Sequence, residues 1–175
     1  MRRALEVLGL AALGLVALGA CGKGNGPVAP TAMETTTNPA TTTTIKTATV
    51  RQIASVVAQS DSDIRKTAAA VSNCALFWPD CLLSDRLATL TLAIVSNTLE
   101  VNLEAAANPG ADQYVGAYPA EISNLVSDTI AAARRGSQAF NDLSDCKVDC
   151  SAKGQAAASA ASKLVRELDA WRPHI

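Results

Sequence analysis

Five cysteines, one histidine and sixteen carboxylates are the side chains of this chain best equipped for chemistry. The histidine, His174, stands next to the last residue, where it is expected to be mobile, so neither a Ser–His nor a Cys–His pair has a plausible base. A carboxylate-bridged metal site in a helical protein wants Glu-x-x-His pairs, and the sequence has none. Asp61 and Asp63, in "QSDSDI", and Glu100 with Glu104, one turn apart, read as solvated helix faces. A polar site inside the fold is the alternative for the aspartates. No glycine-rich loop follows a strand, which leaves no cradle for phosphate. The net charge of −1 and the isolated pairs Arg2-Arg3 and Arg134-Arg135 give no basic footprint for nucleic acid. The expectation is a protein that is not an enzyme, with no cofactor, no metal and no nucleic-acid partner.

One cysteine has a different setting. "MRRALEVLGLAALGLVALGAC" opens with two arginines, continues with an apolar or glycine run from Val7 to Ala20, and closes on small residues. That is the layout of a secretory signal, and the run is too short to span a bilayer. Its last four residues, Leu18-Gly19-Ala20-Cys21, resemble the lipobox of bacterial lipoproteins. The resemblance covers residues 1–21 alone. It implies cleavage before Cys21, a thioether-linked diacylglycerol on that cysteine, and often an additional N-acyl chain such as palmitate. Each buried CH₂ contributes about 0.8 kcal/mol to anchoring, so several chains hold durably. The implied location is the extracytoplasmic face of the cell membrane. Gly22 stands where Asp would signal inner-membrane retention, so an outer-membrane location is open in a diderm host.

Residues 21–46, "CGKGNGPVAPTAMETTTNPATTTTIK", are rich in Gly, Pro and Thr and have no apolar periodicity. They read as a disordered tether, with an r.m.s. span of roughly 25–30 Å for about 25 residues. The folded part is expected over residues 47–175.

Outside the cytoplasm, Cys74, Cys81, Cys146 and Cys150 are expected in disulfides rather than around zinc, because C-x₆-C and C-x₃-C are not zinc-ribbon spacings. Three pairings are possible. Local pairing, Cys74–Cys81 and Cys146–Cys150, is preferred, and cross-pairing that staples the two loops together stays open.

The elements that must position these cysteines are helical. Val50, Val57, Ile64 and Val71 recur every seven residues, with Ile53 on the same stripe. A second helix, from about Leu82 to Ala107, is apolar on two faces. Leu83, Leu87, Leu90, Ile94 and Val101 form one row, and Leu92, Val95, Leu99 and Leu103 form another. After the break "NPGADQYVG" a third helix starts near "YPAEI", where Pro119 suits the first turn; its stripe is Ile122, Leu125, Thr129, Ala132, Gly136 and Leu143, with Val126, Ala133 and Phe140 beside it. A fourth, from about Ser151 to Trp171, shows Ala157, Ala161, Leu164, Leu168 and Trp171 on one face. The fold class expected is all-α, an up-down-up-down four-helix bundle of two hairpins, with both cysteine pairs at hairpin tips on one side.

Phe77 and Trp78 sit in the first tip, "NCALFWPDC", in a chain with only two residues each of Phe, Trp and Tyr. They read as a plug closing an alanine-rich core, with a recognition tip as the alternative. The function expected is a binding or interaction module in the cell envelope with a protein partner, presenting either Phe77 and Trp78 or Leu92, Val95, Leu99 and Leu103. One alternative is a small-molecule or lipid carrier, with a cavity lined by Leu87, Leu90, Ile94 and Val126. Another is a defensive lipoprotein of the phage-exclusion type.

Overall fold

The computed structural model describes residues 45–175 apart from 76, 77 and 79. Cys21 and the stretch read as signal and tether therefore lie outside the described residues, as does Phe77. The described chain forms four long helices packed against one another: α1 (Val50–Cys74), α2 (Leu83–Ala107), α3 (Ser123–Ser144) and α4 (Ser151–Ala170). Short 3₁₀ turns at Ala120–Ile122 and Arg172–His174 precede α3 and follow α4. Each helix packs against its sequence neighbour, and α1 closes the ring against α4. This is an all-α bundle.

The helix starts follow from local chemistry. Thr49 caps α1 with a capping box: its Oγ1 accepts from the Gln52 backbone N–H at 3.2 Å, and the Gln52 side chain accepts from the Thr49 N–H at 2.8 Å. Two orphan donors are thereby satisfied, a contribution of about 1 kcal/mol. Pro119 stands just ahead of the 3₁₀ turn rather than inside the first α-helical turn, and the regular α3 starts at Ser123.

The seven-residue stripe of α1 is buried as its period implies, with Ile53, Val57, Ile64 and Val71 fully inside. Between the large residues lie small ones: Ala54, Ala68, Ala132, Ala133, Gly136, Gly154, Ala157 and Ala161 are all buried. Helices lined this way approach closely, and a few large side chains fill what is left. Phe140 is one; a Cβ on Gly136 would sit 3.2 Å from its ring. Trp171 is the other, fully buried, with its indole N–H donating to Thr129 Oγ1 at 2.9 Å. Thr129 Oγ1 donates in turn to the Leu125 carbonyl at 2.7 Å, so both buried polar groups are satisfied.

The connection between α2 and α3 folds back on the residues that lead into α1. Ala117 N–H donates to the Lys46 carbonyl at 2.8 Å, and Ala48 N–H donates to the Ala117 carbonyl at 2.9 Å. The Val115 and Gly116 N–H groups return to Ala106, and the Tyr118 hydroxyl donates to the Leu103 carbonyl. Gly116 makes this crossing possible. Its φ is 139°, and a Cβ there would come within 2.6 Å of Ala48 N and 2.7 Å of Lys46 O. Both obstacles are backbone. Gly116→Ala is therefore expected to lower stability by about 1–3 kcal/mol, read as a fall in Tm, whereas Gly110→Ala, whose Cβ would make only an ordinary contact with the Asn108 side chain at 3.5 Å, leaves Tm within about a degree or two.

Candidate functional site

Trp78 is placed by the loop that the first cysteine pair closes. The disulfides join Cys74 to Cys81 and Cys146 to Cys150, the local pairing. Cys74, Cys146 and Cys150 are buried. Trp78 lies against the second loop, with only 6% of its surface exposed, and its indole N–H donates to the Cys146 carbonyl at 3.0 Å. The Arg86 guanidinium caps the ring at 4.9 Å from its centroid, a cation–π contact. The α1–α2 and α3–α4 connections are thus joined through one indole. Asp149 supplies the tight reversal into α4 with φ at 51°, a conformation that Asp tolerates better than most residues. Trp78 points inward and acts as the plug.

The second candidate surface needs correcting. Leu92, Leu99 and Leu103 are fully buried, and Val95 is half-buried against the same core. This row cannot meet a partner. The other row of α2 faces out: Leu83 is 72% exposed, Leu87 54%, Leu90 43%, Ile94 67% and Val101 50%. The cavity lining drawn for a carrier is likewise corrected: Leu87, Leu90 and Ile94 lie on the outside while Val126 is buried, so the four do not line one inter-helix cavity. The physical signal that separates the two rows is side-chain size. The buried face of α2 interleaves Ala93, Ser96 and Ala106 with its leucines, which suits close packing against α1 and α3. The outer row, Leu83, Leu87, Leu90, Ile94 and Val101, has only large aliphatic side chains.

Electrostatics frames this face on one side. Arg134 of α3 bonds Glu100 and Glu104 of α2, each at 2.7 Å. The hydrogen bond to Glu100 is the main cause of its raised pKa, with Glu104 adding to it. Two carboxylates one turn apart repel each other on an isolated helix, and the shared cation removes that penalty. Glu104 also raises the Tyr118 pKa, after burial, which is the larger cause. On the α1–α4 side, Arg65 reaches Asp169 of α4 at 2.8 Å and Asp61 of its own helix at 2.9 Å, so Asp61 orients the arginine of an inter-helix ion pair rather than forming an internal polar site. Sequence reading placed Arg134, Glu100 and Glu104 on solvated faces; an i,i+4 acidic pair facing an arginine-bearing helix was the available clue.

Among the described residues, no three His, Cys, Asp or Glu side chains converge as a metal set would require, and no helix is long and apolar enough to cross a membrane. On the surface, α2 carries an exposed apolar row from Leu83 to Val101, one end of which lies beside the Arg86–Trp78 stack. If Trp78 is the plug, Trp78→Ala lowers stability by about 3–5 kcal/mol in a denaturant titration, and Trp78→Phe recovers most of it while losing the bond to Cys146. A Trp78→Ala variant as stable as wild type would contradict this placement. In comparisons with known proteins, the chain matches no family model, no curated protein and no solved structure.

Proposed function

We propose that this chain is a lipid-anchored cell-envelope protein whose helical domain is a non-enzymatic interaction module. The observation that carries the interaction reading is the outer row of α2, five large aliphatic side chains between 43% and 72% exposed on one helix face. Contiguous exposed apolar surface of this kind marks a contact face, whereas single exposed leucines do not. The anchor rests on Leu18-Gly19-Ala20-Cys21 at the end of the apolar run, with Cys21 as the lipidated residue. A domain held outside the cytoplasm also fits the two disulfides, which persist in oxidising compartments.

The reading includes an up-down-up-down helix order. Supporting it, the segment before α1 pairs with the α2–α3 connection, and Trp78 from the α1–α2 connection bonds the α3–α4 connection. The partner meets α2 from outside, with its own apolar helix face laid along the row in the helix-in-groove manner.

Metabolic labelling with palmitate tests the anchor. Wild type is expected to incorporate label and partition with membranes, and Cys21→Ala to do neither; label retained in Cys21→Ala would refute lipidation at that residue. For the module, a photocrosslinking amino acid at Ile94 is expected to give a defined adduct in intact envelopes, and one at Ser162, exposed on α4, none. Equal yields at both positions would remove the interaction reading.

A further inference from the structure

The outer face of α2 has a second regularity. Leu83, Leu87, Leu90, Ile94, Asn97 and Val101 are separated by 4, 3, 4, 3 and 4 residues, and all six are exposed. That is the spacing of alternating d and a positions in a heptad, the 3.5-residue period of a coiled-coil seam, carried on a helix whose opposite face is already buried in the bundle. Over 18 residue steps the seam is about 27 Å long. The helix has two jobs, and only the inward one is satisfied within the described chain.

From this face we infer that the occupant is α2 of a second copy, laid antiparallel across a two-fold axis. The inference deepens the interaction reading above and rests on it. The first argument is register. An antiparallel coiled coil sets a against d. Here that puts Leu90 on Ile94 of the second copy, Leu83 on Val101 and Leu87 on Asn97. All three pairs centre on one level, that of Leu92, and each occurs twice by symmetry. One surface is thereby its own complement, as an isologous dimer requires.

The second argument is charge. The charged g positions that flank this seam are Arg86 and Glu100, both half-buried at the edge of the bundle, with the buried Ala93 between them. Antiparallel packing sets g against g, so Arg86 of each copy faces Glu100 of the other. Arg86 makes no ion pair among the described residues; its contact is the Trp78 ring. Glu100 binds Arg134 through Oε1, so the second copy's Arg86 would extend that pair into a chain of alternating charge. Parallel packing sets g against e instead. Arg86 would then face Thr91, and Glu100 would face Ala105, with no charge matched. The other flank of the seam, Ser84, Thr91 and Thr98, is uncharged and raises no repulsion in the antiparallel arrangement.

Sedimentation velocity over a dilution series of the full-length mature chain in detergent tests this. Wild type is expected to move from dimer to monomer on dilution. Ile94→Glu is expected to abolish the dimer while leaving the thermal midpoint and helical content unchanged, since Ile94 is 67% exposed. Arg86→Glu and Glu100→Arg are each expected to weaken the dimer roughly tenfold, from two partly exposed pairs lost per dimer, and the double reversal to restore it. Glu100→Arg also breaks the bond to Arg134, and the double variant cannot remake that bond, so recovery reports the pair between copies. Wild type that stays monomeric at every concentration overturns the inference. So does a dimer that Ile94→Glu leaves intact, and so does one that the double reversal fails to restore. The two readings separate at Ile94: an adduct with a different protein from a chain that sediments as a monomer keeps the interaction module and removes the second copy.

Discussion

The bundle depends on close approach. Its buried faces interleave small residues such as Ala54, Ala132, Gly136 and Ala157 with large ones such as Ile53, Leu99, Phe140 and Leu164, so neighbouring helices must lie close for the two kinds to interdigitate. That geometry works only if the remaining volume is filled by a few bulky groups whose polar atoms are satisfied. Trp171 does this under α3, with its N–H on Thr129, and Trp78 does it between the two disulfide-closed loops, with its N–H on the Cys146 carbonyl. An unpaired indole N–H in either place would carry a desolvation cost comparable to a whole hydrogen bond. Ser96 Oγ is the one buried side-chain atom among the described residues left without a partner, and it sits on the inward face of α2.

The disulfides fit this picture. Each closes a short loop, which restricts the unfolded chain by about 2–2.5 kcal/mol in the chain-entropy account. They hold the two loops that Trp78 joins. Local pairing leaves the bond between the two connections non-covalent, an indole against a carbonyl, so their docking is a packing event. The inter-helix ion pairs lie away from this point. Arg134 gathers Glu100 and Glu104 on the α2–α3 side, and Arg65 joins Asp61 to Asp169 on the α1–α4 side. Exposed pairs of this kind contribute little each, and their use here is to fix which helix faces which.

Much of the architecture was legible in the residues. The seven-residue recurrence of Val50, Val57, Ile64 and Val71 marks α1 because one face of a helix repeats at that interval. Pro119 and the "NPGADQYVG" break mark the gap before α3, and the cysteine spacings favour local bridges. What the sequence did not resolve was orientation. Both rows of α2 are apolar, so hydrophobicity alone does not say which one faces in, and only the packing assigns Leu92, Leu99 and Leu103 to the inside. The deciding property, small residues spread among the leucines of the buried row, is a statement about the neighbours' shapes as much as about α2. Arg134 escaped for a related reason: an ion pair between helices is written in two places in the chain and is visible only when their faces are known.

The result is a helix with two apolar faces of different kinds, one interleaved with small residues for a fixed interior and one of uniform large residues in a heptad row. The proposed interaction requires that the second face be open in the isolated domain and covered in intact envelopes. Maleimide labelling of Ile94→Cys measures this directly. Fast labelling is expected in dilute purified protein and at least severalfold slower labelling in intact envelopes, with Ser162→Cys on α4 labelled equally in both. Equal rates for Ile94→Cys in the two settings would contradict it.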